Sequence, residues 1–321
     1  MTDRFGRTID YIRISVTDRC NLRCQYCMPA EGVPLLDHDD VLRFEEIVAF
    51  MGVAVTEGIV KVRLTGGEPL RRPGIVDLVN MLRHVPGLQD LSLTTNGTLL
   101  PRFAGELWDA GLRRINIGLP SLDPRTYAQL TRLGTLEDAL AGLMAAVETG
   151  FHPIKVNVVI MRGINDDIAP YLDLTRRLPV EVRLIEYMPI GPLADEHYLV
   201  PAAELRRKLE SLAVLEPAET PDGAGPAQDY RRIPGAPGTV AVIAPVTEHF
   251  CPTCNRLRLL ADGHLRLCLF GAEELDIRPA LRPIVDDGAL RVLLYEAMRQ
   301  KPECMPAMPH DSGRAMGSIG G

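Results

Sequence analysis

No apolar run in this sequence approaches the roughly 18 residues that a membrane-spanning helix needs, which excludes such a helix. The first residues, Met1-Thr2-Asp3-Arg4-Phe5-Gly6-Arg7, lack the apolar centre of a secretory signal. The protein is therefore expected to be soluble and cytoplasmic, with no membrane partner. A basic excess is missing too. Thirty-five Lys and Arg stand against 42 Asp and Glu, for a formal charge of −7, so the chain as a whole gives no reason to expect nucleic-acid binding. An anionic ligand would need a local basic pocket. There is no internal repeat beyond an alternation of strand-like and helix-like runs. What is present is 46% apolar residues over 321 positions, ample for a sizeable core in one large domain or two. Seven cysteines in a cytosolic chain point to metal ligation or catalysis more than to disulfides. Six of them form two triads, and Cys304 is left over as an ordinary thiol.

From residue 11 to about 187 the pattern predicts strands over 11–16, 60–65, 90–95, 113–118, 154–160 and 181–187. Helical stretches separate them, such as the one carrying Phe44, Ile47, Val48 and Met51 near a 3.6 period. Six β/α units in order argue for parallel strands. Alternate residues on each strand then divide into two faces. One is apolar and includes Ile12, Ile14, Val62, Leu64, Ile115, Ile117, Val156 and Val158. The other is polar and cationic: Arg13, Ser15, Lys61, Arg63, Thr65, Ser92, Thr94, Asn116, Lys155, Asn157 and Arg183. A doubly wound sheet is covered on both faces and should be apolar on both. A partial (β/α)6 TIM-type barrel with a wet, cationic lumen fits better. Residues 1–216 form this barrel, and 217–238, rich in Pro, Gly and Ala, read as a long loop or linker. Residues 239–321 form a C-terminal region that closes the open side. It begins with a strand at 239–243 and continues with helical stretches around 272–282 and 286–300.

The chemistry is carried by cysteines. Cys20, Cys24 and Cys27 lie within eight residues just after the first strand. Three thiolates so close can wrap one corner of a [4Fe–4S] cluster and leave one iron open, although a zinc site is the competing reading. Thr65-Gly66-Gly67-Glu68-Pro69 follows the second strand, at the sheet edge where ligands of parallel strands bind. The second triad, Cys251, Cys254 and Cys268, could be a second cluster or a zinc knuckle completed by His249 or His264. Arg256 and Arg258 follow Cys254 at i and i+2 spacing, so they project to one side and suit a phosphate or carboxylate.

The Cys-x3-Cys-x2-Cys spacing followed by Gly-Gly-Glu-Pro resembles the radical S-adenosylmethionine (SAM) superfamily. There the open iron binds SAM, and an electron from the cluster cleaves SAM to methionine and a 5′-deoxyadenosyl radical. Adding Leu93-Thr94-Thr95-Asn96-Gly97, Lys155-Val156-Asn157, Arg183 to Met188, Cys-x2-Cys-x13-Cys with Asn-Arg-Leu-Arg, and the terminal Gly320-Gly321 makes the likeness closer. Over nearly its whole length the chain resembles the GTP 3′,8-cyclases of molybdenum-cofactor biosynthesis, the MoaA family. The resemblance implies a lyase with two [4Fe–4S] clusters, on Cys20, Cys24 and Cys27 and on Cys251, Cys254 and Cys268. It implies SAM contacts at Tyr26, Gly67, Gly118 and Met188. It implies GTP contacts at Arg13, Lys61, Arg63, Thr94, Lys155, Arg183, Arg256 and Arg258, and a role for Gly320 and Gly321 inside the active site. An external electron donor and, as next pathway enzyme, cyclic pyranopterin monophosphate synthase follow as partners, and a homodimer is compatible with it. Asn116-Ile117-Gly118-Leu119-Pro120 departs from the family's Asn-x-Ser-Leu-Asp, which removes one hydroxyl from the SAM site. Two alternatives remain, another radical SAM enzyme with an auxiliary cluster and a non-catalytic cluster- or zinc-binding sensor.

Overall fold

A computed structural model describes residues 1–190, 194–220, 225–305 and 314–320. Six strands, β1 (Tyr11–Ser15), β2 (Lys61–Thr65), β3 (Asp90–Thr95), β4 (Arg114–Gly118), β5 (Ile154–Ile160) and β6 (Val180–Glu186), lie side by side in chain order, all parallel. Their ends fall within one residue of the sequence expectation. The apolar face explains why: Ile12, Ile14, Val62, Leu64, Ile115, Ile117, Val156 and Val158 are all fully buried beneath the helical layer.

That layer comprises α1 (Phe44–Thr56), α2 (Ile75–Arg83), α3 (Leu100–Asp109), α4 (Pro124–Thr131), α5 (Leu136–Thr149) and α6 (Ala169–Arg177). Their starts are set locally. Asp123 accepts from Thr126 N ahead of α4, and Thr135 accepts from Asp138 N ahead of α5, each satisfying a donor that the first helical turn leaves free. The helix α7 (Ala202–Leu212) follows Pro201.

The C-terminal region extends the same sheet at both edges. Next to β6 comes β9 (Thr239–Ile243), parallel, followed outward by the antiparallel β8 (Gln228–Arg232) and β7 (Glu216–Pro217). Next to β1 comes β10 (Arg256–Leu259), parallel, followed by the antiparallel β11 (His264–Arg266) and β12 (Glu274–Asp276). The Pro/Gly/Ala-rich stretch 217–238 thus contributes a strand, with Tyr230 buried.

One expectation is corrected. Residues 272–282 are not helical: Glu274–Asp276 is a strand, and only Arg278–Ala280 forms a short 3-10 turn. Pairing with β11 decides the conformation, because Glu274 and Asp276 oppose Arg266 and His264, and Glu274 meets the wholly buried Arg266 at 2.6 Å. The helix α8 (Asp287–Gln300) forms as expected, capped by Asp286 and packed on α1. Among the described residues no helix is long and apolar enough to cross a membrane.

Candidate active site

The polar face of the strands opens onto a cavity of about 300 Å3. Cys20, Cys24 and Cys27 lie on its wall, in the loop that β1 leads into. The loop is held from two sides. Arg23 N and Gln25 N donate to Thr131 O and Leu130 O at the end of α4, and Asn21 is joined to Asn96 and Thr98 beyond β3. Arg132, at φ 63° a non-glycine residue with positive φ, donates from its guanidinium to Arg23 O and Met28 O. The strain of that backbone is offset by contacts that fix the cysteine loop. Burial, reinforced by the neighbouring thiols, raises Cys24 to about 12 and also raises Cys27; burial is likewise the main cause of the rise at Cys20. Three thiols on one short loop lining the cavity fit a group that brings its own positive charge, as an iron–sulfur cluster does.

Gly67 is required by close approach, since a Cβ there would lie 2.4 Å from Arg19 O. It brings the Gly-Gly-Glu turn against the strand-to-cysteine segment, with Gly67 N donating to Thr17 O at 2.7 Å. Glu68 is 1% exposed and accepts from Leu70 N, Thr95 Oγ1 and Asn96 N, and burial still pushes it up to about 7. Sequence reasoning did not single it out, although it stands inside the motif.

Arg13, Arg63, Thr94, Arg183, Arg256 and Arg258 all line this cavity, as do Tyr26, Gly67, Gly118 and Met188. Register explains the cationic cluster: Arg13 opposes Arg63 on one side and Arg258 on the other, and Tyr11 opposes Arg256. Burial lowers Arg63 to about 10 and lowers Arg258 strongly, with neighbouring arginines adding to both. Asn157 Oδ1 is buried there without a hydrogen-bond partner among the described residues.

Two expected contacts sit elsewhere. Lys61 pairs with Asp10 at 2.7 Å near the start of β2, its side chain 37% exposed and away from the cavity wall. Lys155 lies buried off the wall, 3.7 Å from Glu181, and burial together with Arg183 lowers it to about 7. Glu181 also accepts from Arg183, which bonds to Tyr230 Oη at 2.9 Å.

Cys251, Cys254 and Cys268 are on the same wall. Cys251 opens a 3-10 turn that ends before Cys254, whose N–H donates to Cys251 O. Burial raises Cys251 to about 11, whereas at Cys254 the nearby Lys301 and Arg256 outweigh burial and lower it. Of the imidazoles considered as zinc ligands, His264 pairs with Asp262 at 3.1 Å and His249 lies near Pro245 O, and neither lines the cavity. Among the described residues no three His, Cys, Asp or Glu side chains gather around a single point.

The tail returns to this cavity. Met316–Ser318 forms a 3-10 turn, Gly317 N donates to Cys27 O, and Ile319 O and Gly320 O both accept from Arg258. Gly320 has φ 70°, and a Cβ there would lie 2.5 Å from Thr65 Oγ1. Gly321 lies outside the described residues.

The radical SAM superfamily matches residues 14–174, and the Molybdenum Cofactor Synthesis C family matches residues 180–306. The GTP 3′,8-cyclases of Heliobacterium modesticaldum and Moorella thermoacetica are each 46% identical to this chain, with 100% of both sequences covered. The chain belongs to the GTP 3′,8-cyclase family. Among solved structures, Streptococcus suis SuiB bound to S-adenosylmethionine is similar at a TM-score of 0.64, over 91% of this chain and 68% of that one. At 15% identity this likeness concerns the fold alone.

Gly118 stands where the resemblance implies a serine. The nearest neighbour along its Cβ direction would be Thr95 O at 3.9 Å, so the wall has room for a serine side chain to start there. The carbonyl of Pro120 accepts from Asn165 at 2.6 Å.

Proposed function

We propose that this chain cyclises GTP to (8S)-3′,8-cyclo-7,8-dihydroguanosine 5′-triphosphate, the first step of molybdenum-cofactor biosynthesis, as a radical SAM enzyme of the lyase class. The observation that carries this reading is the convergence of Arg13, Arg63, Arg183, Arg256 and Arg258 on the cavity that both cysteine triads line. A triphosphate brings about four negative charges, which a secluded pocket can hold only against fixed cations.

A [4Fe–4S] cluster on Cys20, Cys24 and Cys27 supplies, when bound, the electron that cleaves SAM. Tyr26, Gly67, Gly118 and Met188 would form the SAM side of the cavity, and Glu68, anchored by three donors, presents a carboxyl suited to an amine. Arg13, Arg63, Arg183, Arg256 and Arg258 would hold the nucleotide, with Thr94 and Asn157 offering uncharged hydrogen-bonding groups. Cys251, Cys254 and Cys268 would carry a second cluster facing the purine. Gly320 and Gly321 would complete the wall beside substrate and keep water from the reacting carbon. Lys61, paired with Asp10 at the far end of its strand, would act on the nucleotide only through a water or a changed rotamer.

An external one-electron donor and a cyclic pyranopterin monophosphate synthase that consumes the product are the partners this reading requires. Anaerobic incubation of the reconstituted protein with SAM, dithionite and GTP should yield 5′-deoxyadenosine and a cyclised guanosine triphosphate. SAM cleavage with GTP recovered unchanged would contradict the reading.

A further inference from the structure

Lys301 follows α8 directly and is 2% exposed, yet among the described residues it has no carboxylate partner. Its ammonium instead donates to Arg256 O at 2.8 Å and to Leu267 O at 2.6 Å. Arg256 stands two residues after Cys254, and Leu267 immediately precedes Cys268. One side chain therefore ties together the two backbone segments that carry these thiols. It also lines the cavity, together with Cys254 and Cys268.

The third cysteine is served by a second buried cation. Arg7 donates to Cys251 O at 2.9 Å, to Glu303 O at 2.8 Å and to Pro302 O at 2.7 Å, and Asp3 holds its Nε at 2.7 Å. Residues 301–303 are thus fastened to all three cysteine-bearing segments at the point where the chain leaves α8 for the tail. Two ammonium hydrogens of Lys301 are used on carbonyls, and burying such a charge is costly unless anions lie close. Simple packing would be met more cheaply by a methionine.

We propose that Lys301, backed by Arg7, is a positioning residue of the second cysteine centre: it fixes the separation of the Cys254 and Cys268 segments and places one positive charge beside the cluster they carry. This rests on reading the second triad as a [4Fe–4S] site. The anionic cluster gains from a fixed cation, most of all in its reduced state, which carries one more negative charge.

The test uses full-length wild type, Lys301→Met and Lys301→Gln, each reconstituted anaerobically without SAM or GTP. Iron and sulfide per chain are measured, and the second cluster is titrated potentiometrically with EPR detection. Wild type should hold about eight irons. The methionine variant, which loses both the hydrogen bonds and the charge, should fall to about four. The glutamine variant, whose amide still donates, should keep its cluster but at a lower reduction potential. If the methionine variant fails to fold, the glutamine variant decides. Loss of the second cluster from either folded variant, or the downward shift in the glutamine variant, supports the proposal. About eight irons and one potential in every folded protein would overturn it. Four irons in wild type would instead overturn the second-cluster reading, and the proposal with it.

Discussion

Arg258 donates through a single nitrogen to the carbonyl oxygens of both Ile319 and Gly320, each at 3.0 Å, so the penultimate residue of the chain sits on a cation of the barrel lumen. A glycine-rich terminus would ordinarily fray. Here its backbone occupies a space beside Thr65 that a Cβ could not share. Deleting Gly320 and Gly321 should leave iron content, GTP binding and SAM cleavage intact while cyclised product disappears. Quantifying 5′-deoxyadenosine and cyclised nucleotide in the same reaction checks this. Full turnover by the truncated protein would make the tail a bystander.

Arg63 is 7% exposed and packed among other cations, so removing it costs the fold little while removing a charge-assisted contact to nucleotide. Arg63→Ala should weaken GTP binding by about 1.5–3 kcal/mol, on the order of 10- to 150-fold. Calorimetric titration with GTP reads the first quantity and thermal unfolding the second. A large drop in melting temperature with affinity unchanged would place Arg63 outside the binding site.

Lys155 gives a pH signature. Its folded pKa of about 7 lies below the ordinary lysine value, so it is protonated below about 7 and largely neutral above. A triphosphate bound nearby favours the charged form and raises that pKa. GTP binding at pH 8 should therefore take up protons, and the uptake should vanish by about pH 5.5, where Lys155 is already charged. Calorimetry in buffers of different ionisation enthalpy measures this, and Lys155→Met should abolish it. The same sign governs stability: between about 7 and the unfolded value near 10.4 the unfolded chain holds the proton that the folded one lacks, so this group's contribution rises with pH.

Gly118 is the reverse case, a place where a side chain can be added. With only an ordinary contact along its Cβ direction, to Thr95 O at 3.9 Å, Gly118→Ser should fold normally and, if the hydroxyl reaches SAM, tighten SAM binding by about 1 kcal/mol, roughly fivefold. Equilibrium binding of SAM to the reconstituted protein decides it. Weaker binding would mean that the cavity wall at Gly118 is already filled by SAM itself.

Much of this was legible from two-residue periodicity. Ile12 and Ile14 alternate with Arg13 and Ser15, and that alternation gives both the strand and the direction in which Arg13 points. Parity specifies a face and says nothing of depth. Lys61 and Arg63 share a face, yet only Arg63 reaches the wall, because the cavity opens at the C-terminal ends of the strands. Residues 272–282 were misread because their conformation is set by a partner strand and by Arg266, not by their own propensities. Lys301 was invisible for a similar reason. Its role depends on where α8 ends relative to β10 and β11, a tertiary relation that no local spacing records.

The most direct test of the central claim, that both triads serve one reaction on GTP, is a side-by-side assay of wild type and Cys268→Ala with SAM, dithionite and GTP. 5′-Deoxyadenosine and cyclised nucleotide are quantified together. Wild type should form both in step, and the variant should still form 5′-deoxyadenosine while the cyclised nucleotide is lost. Cyclisation by Cys268→Ala at the wild-type rate would contradict the account.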